Sequence, residues 1–238
     1  MQRYFAPINN NQVFLSELDA HHLLHVMRNK VNDKIEVVYD KQLFLCEIKS
    51  INPLVIGVVN KIEEHSELDK NVTLFVALLK GDKNEFVMQK ATELGANRIV
   101  FVNSKRAVSK LDQASFDKKV ERYKLIVKEA SEQSHRLYVP TIEGVYDLNK
   151  LKKEQLCSLN LLAYEDLHTS SPNIDKMELN KNNSVSIFIG PEGGFDTSEV
   201  EYLNSVGFKN ISLGRRILRA ETACVYALSV ISYLLESK

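Results

Sequence analysis

Four short runs in this chain are apolar at nearly every position: "VTLFVALL" at 72–79, "RIVFVNS" at 98–104, "LNLLAYE" at 159–165 and "VSIFIG" at 185–190. A strand with one wet face alternates apolar and polar side chains. A run that is apolar throughout must be covered on both sides, the condition of a parallel sheet with helices above and below. The intervening segments supply those helices. One begins near Asp82, carries Val87, Ala91 and Leu94 on one face and stops at Gly95. Phe116, Val120, Tyr123, Val127 and Ala130 recur at helical spacing, and Asp196 with Glu199 can cap a further helix. The resulting order, β-α-β-α-β-β-α-β-α, predicts an α/β, mostly parallel sheet that binds ligands at the carboxyl ends of its strands. The polar stretch "HTSSPNIDKMELNKNNS" at 168–184 reads as a peripheral loop.

The first seventy residues read differently. Runs at 35–39, 43–48 and 54–59 have β character without a helical stripe, and the charged segment "EEHSELDKN" at 63–71 makes a linker. Two domains are therefore expected, a small β-rich one at 1–70 and the α/β one at 71–238. The chain of 238 residues is 44% hydrophobic and 26% charged, which suffices for a sizeable core. No apolar run approaches a bilayer span and the opening "MQRYFAPINN" lacks the regions of a signal peptide, so a cytoplasmic protein without a membrane partner is expected. Cys46, Cys157 and Cys224 are odd in number and far apart, which disfavours a disulfide framework or a cysteine-rich zinc site. Acids and bases balance at 31 each, yet 13 bases face 8 acids between Lys80 and Arg136. Lys209, Arg215, Arg216 and Arg219 also cluster, with no acid among them. Clustered cations on a neutral chain point to a local anionic partner, nucleic acid first, against the alternative of a solvated face.

Three strand ends stand out: "LLAYED" at 161–166, "IGPEGGF" at 189–195 and "SLGRRILRAETA" at 212–223. Gly190, Pro191, Gly193 and Gly194 over-specify a simple turn, and glycine at the end of a buried strand recurs where bare backbone approaches a ligand. The pair "IGPEGGF" and "LGRRILRAETA", together with "RYF" at 3–5, "HHLLHVMR" at 21–28, "LLKGDKNEFVMQKATELG" at 78–95 and "EASEQSHR" at 129–136, closely resembles the RsmE family of ribosomal RNA methyltransferases. That family belongs to the SPOUT superfamily. The resemblance implies a carboxyl-terminal trefoil knot, a PUA-like β-barrel at the amino terminus, and S-adenosylmethionine bound by the knot loops.

Carried onto this sequence, the resemblance implies a cofactor site with three walls: Leu162, Ala163, Tyr164 and Glu165; Ile189, Gly190, Pro191, Glu192 and Gly193; and Leu213, Gly214, Ile217 and Leu218. A side chain at Gly193 or Gly194 would then fill space that the cofactor needs. The implied reaction is methylation of N3 of a uridine in the decoding region of 16S ribosomal RNA. An imide proton must leave N3 while negative charge spreads to O2 and O4, which calls for a proton acceptor and for donors aimed at the oxygens. Arg219 is the expected stabiliser. Glu129, Gln133 and Arg136 share a helix face at i, i+4 and i+7, so Glu129 and Arg136 are the further catalytic candidates, against the alternative of a solvated face.

For the RNA, Arg3 and Arg28 of the β-rich domain and Lys80 and Arg106 of the basic stretch are the expected contacts. His21 and His25 have the i, i+4 spacing of a zinc helix, but His22 stands where a zinc protease has glutamate and no third ligand is near, so no metal is expected. The final segment "ETACVYALSVISYLLESK" is apolar around much of its circumference, which predicts burial against the sheet and against a second subunit, as in SPOUT homodimers. Two other readings stand beside this one: a SPOUT methyltransferase acting on tRNA or a ribose 2'-hydroxyl, and a non-catalytic RNA-binding protein.

Overall fold

The computed structural model describes residues 1–164, 171–177 and 179–237. By contact density the chain forms two units, residues 1–67 with 131–138, and residues 68–130 with 139–237 of the described chain.

In the first unit β-branched and aromatic residues alternate with polar ones, and the strands are correspondingly half-buried. β1 (Arg3–Phe5), β2 (Ile8–Asn9), β3 (Gln12–Val13), β4 (Lys34–Tyr39), β5 (Gln42–Ile51) and β6 (Leu54–Ile62) form one sheet in the order β1-β4-β5-β6-β3-β2. β1 runs parallel to β4 and the other pairs are antiparallel. Tyr4, Leu23, Ile35, Val37, Cys46, Ile48 and Ile56 make its core. α1 (Glu17–His21) is capped by Ser16 and runs on into a π-helical turn at His22–Val26. The segment read as a linker holds this unit together. Arg3 is 1% exposed and its guanidinium meets Glu36 at 2.8 Å and Glu64 at 2.6 Å. It also donates to the His135 carbonyl at 2.5 Å. Arg136 is buried as well and pairs with Glu67 at 2.6 Å.

The second unit is built on a sheet in the order β12-β10-β11-β7-β8-β9, every pair parallel. Its strands are β7 (Asn71–Ala77), β8 (Arg98–Asn103), β9 (Thr141–Asp147), β10 (Leu159–Ala163), β11 (Ser184–Ile189) and β12 (Phe208–Ile211). The apolar runs are buried on both faces as their composition requires. Leu74, Val76, Ile187 and Ile189 join one core together with residues of α2 (Lys83–Glu93), α4 (Val120–Gln133) and α6 (Ala220–Glu236). Phe75, Phe188, Leu162 and Phe208 join another with Val200 and Leu203 of α5 (Thr197–Val206). The predicted helix signals are present: Asp82 precedes α2, Gly95 follows it at φ +87°, and Asp196 and Glu199 form a capping box on α5.

Three sequence expectations differ from what the fold contains. The periodic stretch from Phe116 is two helices, α3 (Gln113–Asp117) and α4, broken at Lys118 and Lys119. β9 had no strong signal, because an edge strand is only half-buried and this one carries Gly144. The loop at 168–184 is not wholly peripheral: Ile174 and Leu179 lie in the main core, and the Pro172 carbonyl accepts the Ser212 N–H at 3.0 Å.

Candidate active site

Parallel pairing puts every strand's carboxyl end on one edge of the sheet, and register sets which residues meet there. Ala163 at the end of β10 lies beside Ile189 of β11 on one side and Ile211 of β12 on the other. The chain leaves all three strands at this point, opening a cavity of about 700 Å³. Ala163 and Tyr164 form one wall, Ile189, Gly190, Pro191 and Glu192 a second, and Leu213, Gly214, Ile217 and Leu218 a third. Ile217 is 93% exposed, an unusual position for an apolar side chain with no partner of its own.

Of the expected cofactor residues, Leu162 and Gly193 are not on the cavity wall and Glu165 lies outside the described residues. Leu162 alternates to the far face of its strand and packs in the second core. At Gly193 a β-carbon would lie 3.0 Å from the Arg106 carbonyl oxygen, so a side chain there presses first on the neighbouring loop. At Gly190 a β-carbon would meet the Phe195 ring at 2.9 Å. Gly194 and Gly214 are different. Both line the cavity, both have positive φ (+68° and +105°), and a β-carbon on either would meet nothing within 4 Å. These two leave open the kind of cradle that a bound molecule can occupy.

The charged groups are placed unevenly. Arg106, Arg216 and Arg219 line the cavity. Arg106 is held by Asp196 at 3.1 Å, whereas the guanidinium groups of Arg216 and Arg219 have no hydrogen-bond or ion-pair partner among the described residues. Arg219 occupies the N-cap position of α6 without capping it through its side chain, which leaves the guanidinium exposed. On the other side Lys83 reaches Glu192 at 3.3 Å and Glu221 at 3.2 Å. Contact with the carboxylate of Glu221 first, and then with that of Glu192, raises the Lys83 ammonium above the ordinary lysine range despite its partial desolvation. Burial pushes the Glu192 carboxyl up, but donors from its own backbone, from the Lys80 N–H and from Lys83 outweigh it, and the group is held below the usual range.

The remaining expected residues are not brought to the cavity. Glu129 is exposed on α4 and is not on the cavity wall. Arg136 belongs to the first unit: α4 ends at Gln133, His135 takes φ +57°, and the i+7 extrapolation from Glu129 therefore fails. Arg3 and Arg136, expected to face RNA and the reacting base, are themselves buried and spent on half-buried carboxylates. Arg28 is exposed, and so is Lys80, whose backbone N–H donates to Glu192 at 3.2 Å. Lys83 and Arg216 were not among the expected site residues, and Gly194 was expected only as room for the cofactor. Lys83 lay within "LLKGDKNEFVMQKATELG" without being singled out.

An aromatic and aliphatic wall suits a flat heterocycle, two glycines leave room for close approach, and unpaired arginines suit an anion or polarised oxygens, so the residues present fit S-adenosylmethionine beside a nucleobase. Residues 66–232 match a family model described as RNA methyltransferase domain, and residues 15–56 match one described as RNA methyltransferase PUA domain. The Bacillus subtilis (strain 168) protein named Ribosomal RNA small subunit methyltransferase E is 36% identical over 251 residues, covering 99% of this chain and 98% of its own. The Mesomycoplasma hyopneumoniae (strain 232) protein of that name is 32% identical, covering 96% of this chain and 98% of its own. Among solved structures, a methyltransferase from Legionella pneumophila in complex with its bound cofactor S-adenosylmethionine aligns with a TM-score of 0.87 at 28% identity, over 98% of this chain and 97% of that one. A Ribosomal RNA small subunit methyltransferase E from Neisseria gonorrhoeae bound to S-adenosyl methionine aligns with a TM-score of 0.85 at 26% identity, over 98% of each chain.

Proposed function

Because the chain belongs to the ribosomal RNA small subunit methyltransferase E family, a family of S-adenosylmethionine-dependent enzymes built on a SPOUT-like parallel sheet with an amino-terminal PUA domain, we propose that it methylates N3 of a uridine in the decoding region of 16S ribosomal RNA. The observation that carries this reading is the cavity where β10, β11 and β12 end, apolar along its walls and rimmed by Arg106, Arg216 and Arg219. The cofactor supplies a methyl group activated by a cationic sulfur. Tyr164, Ile189, Leu213, Ile217 and Leu218 hold its adenine by apolar contact, and Gly194 and Gly214 admit it close to the backbone.

Arg219 is the residue assigned to the reaction itself. Its exposed guanidinium donates to uracil oxygens as N3 loses its proton, and a donor preset for that charge lowers the barrier more than it tightens binding. Arg106, Lys80 and, in the first unit, Arg28 position the RNA through its phosphates. The working species is a homodimer joined through α6, whose Tyr226 and Tyr233 are 42% and 68% exposed. The knotted passage of the carboxyl-terminal chain belongs to the same proposal. The deciding experiment supplies the purified protein and labelled cofactor to small ribosomal subunits from a strain lacking the modification, then maps the product by mass. A single N3-methyluridine in the decoding region is expected. Label at a ribose 2'-hydroxyl, or in tRNA alone, would replace this acceptor with another.

A further inference from the structure

Lysine is an unfavourable choice for the first residue of a helix, because the exposed N–H groups and the helix dipole already make that end positive. Lys83 nevertheless opens α2, and Asp82 before it makes no side-chain cap. Its ammonium instead lies between two carboxylates from different parts of the chain: Glu192 Oε1 at 3.3 Å, in the glycine-rich loop after β11, and Glu221 Oε2 at 3.2 Å, in the first turn of α6. The Glu221 oxygen is buried and has no aligned hydrogen bond among the described residues, so this ion pair is its compensation. Glu192 also accepts the Lys80 N–H, tying the turn between β7 and α2 to the same loop.

We infer that Lys83 is a positioning residue that holds the loop after β11 and the start of α6 in their cavity-forming arrangement before any ligand arrives. Other ties hold the two elements separately: Asp196 pairs with Arg106 at 3.1 Å and Phe195 is buried in the second core, while Ala220 and Ala223 pack in the main one. Gly194 bonds back to Pro191 and Gly214 to the Ser212 hydroxyl, both within the same turn, and neither bond joins one cavity wall to another. Lys83 joins the Glu192 wall to the first turn of α6 and lines the cavity itself. Removing it strands the buried Glu221 Oε2 and leaves Glu192 on the Lys80 N–H without its cation, and the cheapest relief for both is movement outward into water. A bound cofactor would then have to reorder the walls at the expense of its affinity. The last step rests on the cofactor reading proposed above; the ordering of the loops does not.

Both parts can be measured on the whole protein with Lys83→Met, Lys83→Arg and the double variant Lys83→Met/Glu221→Gln. In the absence of cofactor, amide exchange in peptides covering 189–196 and 213–223 should quicken in Lys83→Met, while peptides from residues 1–62 stay unchanged. Lys83→Arg, which keeps the charge, and the double variant, which removes the stranded one, should both restore slow exchange. By calorimetry the S-adenosylmethionine Kd should rise about tenfold in Lys83→Met, or about 1.4 kcal/mol, and recover in the other two. Unchanged exchange in Lys83→Met overturns the inference, and so does quickening that the double variant fails to reverse. Should Lys83→Met not fold, Glu192→Gln serves, since it cuts one of the two ties and must quicken 189–196 more than 213–223. Absence of cofactor binding by the unaltered protein, with the exchange pattern as expected, would sink the cofactor reading and leave Lys83 in its role.

Discussion

At the scale of single residues, the glycines of "IGPEGGF" are needed for separate reasons, and the reasons predict separate defects. Gly193→Val would drive a branched side chain against the Arg106 backbone, where even a β-carbon stands 3.0 Å from the carbonyl oxygen. Backbone cannot swing aside as a side chain can. The substitution should therefore lower thermal stability by about 1–3 kcal/mol as well as weaken cofactor binding. A purely local block of the cavity would cost affinity and leave the melting temperature where it was. Arg219→Ala should behave in the opposite sense. With no partner to strand among the described residues, its loss should leave stability and cofactor affinity close to normal. Single-turnover methylation should fall by about 2–4 kcal/mol of barrier at saturating RNA. A defect that saturating RNA abolishes would make Arg219 a docking residue.

Elements depend on their ends, and α5 shows this most clearly. Asp196 accepts from Ser198 at its hydroxyl (2.7 Å) and its backbone N–H (3.2 Å), while Glu199 returns to the Asp196 N–H at 2.9 Å. The Ser198 hydroxyl above all, then the Ser198 backbone N–H, lowers the Asp196 carboxyl to about 2 from its ordinary 3.8. A folded value below the unfolded one means stabilisation that is complete above about pH 4 and is lost as the pH falls through 2. An asparagine in this place would cap nearly as well without a charge. The stability difference between the natural protein and Asp196→Asn should accordingly be present at neutral pH and vanish between pH 4 and 2 in urea titrations. Glu199 reaches further than its own helix: only 1% exposed, it also accepts the Ser104 hydroxyl at 3.1 Å and the Lys105 N–H at 2.7 Å. These ends were legible because capping chemistry is local. The break between α3 and α4 was not, since Phe116 and Tyr123 stay in one aromatic cluster, 6.0 Å apart, and so preserve the period across the interruption.

For the whole molecule, the ion pairs of the first unit decide what a distant segment belongs to. Residues 131–138 are far along the chain from β1, yet Arg3 donates to the His135 carbonyl and Glu132 accepts the Phe5 N–H at 3.3 Å. Arg3→Ala would leave Glu36 and Glu64 facing a vacated, 1% exposed site. A loss of about 3–5 kcal/mol from the first unit should follow, read as an earlier urea transition. Weakened RNA binding without that transition would instead return Arg3 to the RNA surface. On α6, Ala223, Cys224, Ala227, Leu228, Ile231 and Leu235 are already buried within the subunit. Tyr226, Val230 and Tyr233 remain at i, i+4 and i+7 as the stripe for a partner. Sedimentation at micromolar concentration should show a dimer that Tyr233→Glu shifts to monomer. An unaltered protein that sediments as a monomer would leave that stripe without the proposed occupant.

By itself the sequence determined the parallel sheet, because runs apolar at nearly every position have no stable place but between two layers, and it determined the helix ends at Gly95, Asp196 and Glu199, because turn and cap chemistry acts within a few residues. It also located the strand ends around which the cavity forms, where the apolar runs stop, while the individual wall residues came from the family resemblance. Tertiary structure alone decided which glycine meets a neighbouring loop, which arginines are buried in ion pairs, and that Lys83 stands between Glu192 and Glu221. Those are matters of charge and contact between residues tens to more than a hundred positions apart. Periodicity reports only which face a side chain occupies, and carries no information about what the fold sets opposite it.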